Sequence, residues 1–189
     1  MIRAGDTIEN PVTGERVTFL KTSAETNGEY VLIETTVDPD GSVAAEHLHP
    51  YQSERFEILE GEVEFKVGGE LFTAGAGDVV VIEPGTAHHF RNVGEGEVRF
   101  RCEVRPALTF ESFLAAMFGL AADGKTDKKG LPNPFRLVVI MAEHFDLVRL
   151  PYVPAWVQRT GLVLGAPVGR LLGYEPAYLP QTERLDLAA

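Results

Sequence analysis

The sequence predicts a mainly β protein, built as a sandwich or barrel, with a C-terminal α-helical extension. Two observations carry that expectation. Up to about Pro106, short runs of β-branched and aromatic residues alternate with turn residues, and no helical period interrupts them. Beyond Pro106 the apolar residues recur three and four positions apart, the spacing of a helix face. The chain is thereby divided into a barrel over residues 1–106 and an extension over 107–189, packed on the barrel or at a dimer interface. With 189 residues, 44% of them apolar, it can bury a core without staples.

Six runs read as strands: 16–21, 29–37, 56–67, 77–82, 88–93 and 98–104. The turns between them are marked by Asn10 to Gly14, Asp38 to Gly41, Gly68-Gly69 and Gly75 to Asp78, whose Gly, Pro, Asn and Asp supply turn geometry. Residues 7–21 carry spare strand formers and are expected to add to a sheet edge, the chain's own or a second subunit's. In the extension, Phe110, Phe113, Leu114, Met117 and Phe118 share one helix face, with Thr109 as N-cap. A second helix should start at Asn133-Pro134 and run to about Phe145. A third begins near Pro154, carries Gly161, Gly165 and Gly169, and should be kinked or divided at Pro167.

Charge and cysteine usage exclude several function classes. The net charge of −11 and the lack of a basic stripe argue against nucleic-acid binding. Cys102 is the only cysteine, so no intramolecular disulfide can form, as expected of a cytoplasmic protein. No run approaches the ~20 apolar residues that stable membrane insertion requires. Surface contact through residues 151–172 would meet repulsion between the acidic chain and anionic lipid.

Four of the five histidines fall in two clusters, His47-Leu48-His49 and His88-His89. Strand alternation puts His47 and His49 on one face, where both reach one ion, and turns His89 away from the side of His88. Glu54 follows a turn that can bring its carboxylate to the same centre. His88 arrives from a later strand, after Pro84 to Ala87. Three imidazoles and a carboxylate suit one divalent transition ion: Fe(II) or Mn(II) first, with Zn(II), Ni(II), Co(II) or Cu(II) also accommodated. Positions on the ion would remain open for substrate or water.

At these residues the sequence resembles the cupin superfamily. Gly41, His47, His49, Glu54 and Gly61 match that family's first motif at every interval. Gly77, Gly85, His88 and Asn92 match the second, except that Glu83 stands where the family has proline, with Pro84 one position later. The departure touches a turn, not a ligand. The resemblance covers residues 29–104 and implies a double-stranded β-helix barrel, or jelly roll. Inside it one metal ion would be held by His47, His49, Glu54 and His88.

Counting by twos from Glu54 and His88 turns Phe56, Ile58, Phe90 and Asn92 inward. On the next strand Val98, Phe100, Cys102 and Val104 face in, while Arg99, Arg101 and Arg105 face out. Phe56, Ile58, Phe90, Phe100 and Cys102 are therefore the expected substrate-pocket lining, with Cys102 acting as a small apolar residue rather than a nucleophile. No arginine points inward, which favours an uncharged apolar or aromatic small molecule. Three functions fit. One is a metal-dependent oxygenase. Another is a non-redox isomerase, cyclase or lyase in which the metal is a Lewis acid and a carboxylate, Glu54 being the candidate, moves a proton. The third is a non-catalytic small-molecule binder. A homodimer is expected in each case. The extension would cover a barrel face, build the dimer contact, or lay Phe110 to Phe118 or the Trp156 segment over the barrel mouth as a lid.

Overall fold

The computed structural model describes residues 2–178; the stretch 179–189 of the expected extension lies outside them. Nine antiparallel strands come first: β1 Thr7–Asn10, β2 Glu15–Lys21, β3 Val31–Val37, β4 Ser53–Glu60, β5 Glu62–Val67, β6 Glu70–Gly75, β7 Val79–Ile82, β8 His88–Asn92 and β9 Val98–Arg105. Three helices follow: α1 Phe110–Ala122, α2 Pro134–Glu143 and α3 Ala155–Leu171. The strands form a six-stranded sheet in the order β1-β2-β3-β9-β4-β7 and a three-stranded sheet in the order β6-β5-β8. Bridges Ser42↔Arg91 and His47↔His88 lead the chain before β4 along the free side of β8, the place of a fourth strand.

Alternation sets the core. Along β9, Val98, Phe100, Cys102 and Val104 are buried, while Arg101 and Arg105 are exposed. Phe56, Phe65, Phe90 and Phe100, from β4, β5, β8 and β9, meet between the two sheets with ring centroids 5.3–6.3 Å apart. Burying four such rings is worth roughly 1.5–3 kcal/mol each.

Several expected elements differ in detail. The 56–67 run is two strands because Gly61 turns the chain at φ +79°, and a Cβ there would stand 2.5 Å from Val98 Cγ2. Only glycine fits both demands. β6 has four exposed residues in succession and so shows no alternation to read. The N-terminal stretch does add to a sheet edge, and the edge is this chain's own: β2 pairs with β3, and β1 with β2.

Asn133 caps α2, accepting from the Phe135 N–H at 3.0 Å with Pro134 in the first turn. Thr109 stands before α1 without a capping bond, because its hydroxyl is 2.8 Å from His144 Nδ1. α3 runs through Pro167 as one helix. α1 packs on β1, and Phe110, Met117, Phe118, Leu120, Ile140 and Leu147 share one apolar cluster with the barrel core.

Candidate metal centre

The two sheets bring three histidines together near one end of the β4–β9 ladder. His88 opens β8 and exchanges both backbone hydrogen bonds with His47, at 2.8 and 3.0 Å. His49 follows two residues on. Glu54 sits second on β4, paired with Ile82 on one side and Val104 on the other. One nitrogen from each of His47, His49 and His88 can be chosen so that all lie within 4.8 Å of one another. The Glu54 carboxylate joins them, 3.5 Å from His49 Nε2 and 2.8 Å from His88 Nε2. His49, His88 and Glu54 are buried, and His47 is half-buried.

Each imidazole is oriented through its other nitrogen. Nδ1 lies 2.9 Å from Ala45 O in His47, 2.6 Å from Leu147 O in His49, and 3.0 Å from Thr86 O in His88. A carbonyl only accepts, so Nδ1 carries the proton in all three rings and a lone pair is left on Nε2 of any neutral ring. This is the outer-shell pattern that fixes metal-binding histidines. Glu54 Oε2 is buried and has no conventional hydrogen-bond donor, although His88 Nε2 stands 2.8 Å away. Two lone-pair atoms that close repel unless His88 carries a second proton or a cation lies beside them. The donor set therefore fits a divalent ion.

Electrostatics agree with that reading. Burial would raise the Glu54 carboxyl, but His49, His88 and His47 around it outweigh burial and hold it at about 2. Burial lowers His47 to about 3, helped by its neighbours His88 and His49. Burial would also lower His88, yet its contact with Glu54 more than compensates and raises it.

The expected pocket residues face the barrel interior. Phe56, Ile58, Phe90, Phe100 and Cys102 are all buried within one apolar core cluster. Burial, with Glu54 and Glu103 nearby, pushes the Cys102 thiol well above its usual range, so it stays protonated. Asn92 points in as expected but acts as a tie, its Nδ2 donating to Val37 O, Asp38 O and Gly96 O. His89 turns away and lines a shallow polar depression with Thr13, Ser42 and Lys128.

The extension reaches the site at Phe110, one of the lid options, and also through residues 147–152, which sequence reasoning missed. The Phe110 ring centroid lies 6.4 Å from that of His49. Residues 147–152 run beside 46–49: Leu147 O meets His49, Leu48 and Arg149 exchange backbone hydrogen bonds at 3.0 Å, and the Tyr152 hydroxyl donates to Glu46 at 2.8 Å. Trp156, the other lid candidate, is 73% exposed. No local signal in the sequence marks a backbone carbonyl as an outer-shell partner.

The family comparison decides the barrel's identity: the model described as "Cupin domain" matches residues 33–104. The barrel is a cupin. A curated relative, "Polyketide synthase CurC" from Streptomyces cyaneus, is 36% identical over 66 residues, 35% of this chain and 43% of its own length. The chain thus aligns with less than half of that relative. Among solved structures, the cupin is similar to "a predicted oxalate decarboxylase" from Thermotoga maritima, at 24% identity and TM-score 0.48, covering 56% of this chain and 98% of that one. It is also similar to KdgF from Halomonas, at 15% identity and TM-score 0.49, covering 56% and 90%.

Proposed function

We propose that this cupin binds one divalent transition ion, Fe(II) or Mn(II), through His47, His49, Glu54 and His88, and oxygenates an apolar or aromatic small molecule. The observation that carries the reading is the convergence of three Nδ1-anchored imidazoles and an ionised carboxylate within an apolar barrel. When bound, such an ion activates dioxygen or polarises a carbonyl. The chain's own part is to orient and to exclude water. Ala45, Leu147 and Thr86 hold the rings, and Phe110 packs beside His49. Glu54, ionised at neutral pH, supplies the negative charge.

The polyketide named by the curated relative directs the substrate search to phenolic and diketone compounds. It also supports a second reading, a non-redox cyclase, isomerase or lyase in which Glu54 moves a proton. Oxygen uptake by the metal-loaded protein across a phenolic and diketone panel separates the readings. Oxygen consumed in step with substrate, and lost in His47→Ala, supports the oxygenase. Substrate conversion without oxygen uptake supports the non-redox enzyme, and saturable binding without conversion leaves a carrier or sensor.

The cupin is further proposed to work as a cytoplasmic homodimer. Exposed Leu71, Phe72, Val79 and Val81 on β6 and β7 support pairing there, and a lone buried cysteine suits a reducing compartment. A monomer mass by light scattering at micromolar concentration would remove the dimer.

A further inference from the structure

α3 is apolar on two opposite sides. One side packs on α2, where Gly165 approaches Val138, Gly169 meets Val139 and the Phe135 backbone, and Ala166 is buried. The other side carries Trp156, Val163, Leu164, Val168 and Leu171, with Leu172 just beyond, each between 45% and 87% exposed. Those positions recur at helical spacing and make a continuous ridge, far from the scattered single apolar residues of an ordinary surface. A helix apolar on both sides calls for cover on both.

The charge pattern says what covers it. The chain has a net charge of −11, yet from Leu147 to Tyr174 it contains no Asp or Glu and three arginines. Arg149 is held by Asp146 at 3.2 Å. Arg159 and Arg170 flank the ridge along the cleft that α3 shares with Glu143 and Asp146, and neither has a carboxylate within 4.0 Å among the described residues. Exposed charges farther off than about 8 Å are screened at physiological salt. Glu143 and Asp146, on the far side of that cleft, offset part of this charge, while 147–174 itself contributes arginine alone and the chain's more distant carboxylates are screened.

We propose that the exposed side of α3 seats on an anionic phospholipid surface, lying in the interface plane. Leu164, Val168 and Leu171 would enter the acyl boundary, Trp156 would sit at headgroup level, and Arg159 and Arg170 would meet phosphates. The helix lies on the membrane and does not cross it: 17 residues span ~25 Å against a hydrocarbon core of ~30 Å. No helix among the described residues is long and apolar enough to cross.

Trp156 is the only tryptophan in the chain and reports on its own site. The full-length protein is mixed with vesicles of phosphatidylcholine alone or with a quarter phosphatidylglycerol. Co-sedimentation with the anionic vesicles, a blue shift of Trp156 emission and weakening in high salt are expected. Leu164→Glu and Leu171→Glu should each reduce binding at least tenfold. Both positions are exposed, so unchanged circular dichroism and metal content should accompany the loss. Three results overturn the proposal: no co-sedimentation, equal binding to both vesicle types, or a blue shift without vesicles that grows with protein concentration. The last would assign the ridge to a second copy of the chain.

Discussion

The Nδ1 atom of His49 lies 2.6 Å from the carbonyl oxygen of Leu147, 98 positions further along the chain. A histidine of the candidate metal centre is thus oriented by the helical extension, through a turn held by another histidine. His144 is buried, its ring bonds Thr109 Oγ1 and packs edge-on against Phe113, and its carbonyl accepts from Leu147 N–H and Val148 N–H. His144→Ala should unseat that turn and weaken metal affinity about tenfold, the low end for losing an outer-shell partner. Competition with a chromophoric chelator measures this. Affinity equal to the parent's would mean that the His144 ring is not what holds the Leu147 turn in place.

His47→Ala, His49→Ala and His88→Ala should each sharply lower metal content, read by elemental analysis after chelator-free purification. Glu54→Gln should lower it less, because the amide keeps an oxygen donor but loses the charge. His89→Ala should leave it unchanged, since that ring is turned to the other face. Loss of metal in His89→Ala alone would reverse the assignment of strand faces.

The clustering of these four residues was legible because strand alternation and fixed turns tie each to its neighbours in sequence: His47 to His49, Glu54 to the turn before β4, His88 to the turn after Pro84. The alternation of β9 was legible for the same reason. What joins the extension to the site was not, since Leu147 contributes a backbone carbonyl and Tyr152 reaches Glu46 across 106 positions. Thr109 looked like a helix cap from its type and place, but its hydroxyl is turned to the His144 ring instead of accepting from a first-turn N–H. β6 escaped notice because its exposed run gives the pattern of a loop.

Phe100 tests whether the inward aromatics are core or pocket. Its ring is 1% exposed and lies 5.3–5.4 Å from the rings of Phe90 and Phe56. Phe100→Ala should cost ~3–5 kcal/mol, the usual figure for emptying an aromatic core position. Urea denaturation with an unchanged m-value gives the number. A cost below ~1 kcal/mol would show that the ring borders open space and lines a pocket instead.

Glu15 makes stability depend on pH at the opposite end of the barrel. It begins β2 on the side of Val17 and Phe19 and pairs with Val37, which in turn pairs with Val98. Glu54 is joined to Val104, six residues further along β9 and so ~20 Å away, which separates this effect from the metal. Burial raises the Glu15 carboxyl from 4.5 to about 7, against a smaller opposing contribution from Thr13. Between those values the folded chain keeps a proton that the unfolded chain has released, so raising the pH favours unfolding. Below pH ~4.5 both states are protonated and nothing is lost; above pH ~7 the whole cost, at most about 3 kcal/mol, is present. Glu15→Gln removes the ionisation. Urea unfolding at pH 5 and pH 8 should show the parent losing stability between them, with the Gln variant losing less and being the more stable of the two at pH 8. Equal losses in both proteins would place the pH dependence in other groups and leave Glu15 an ordinary carboxylate.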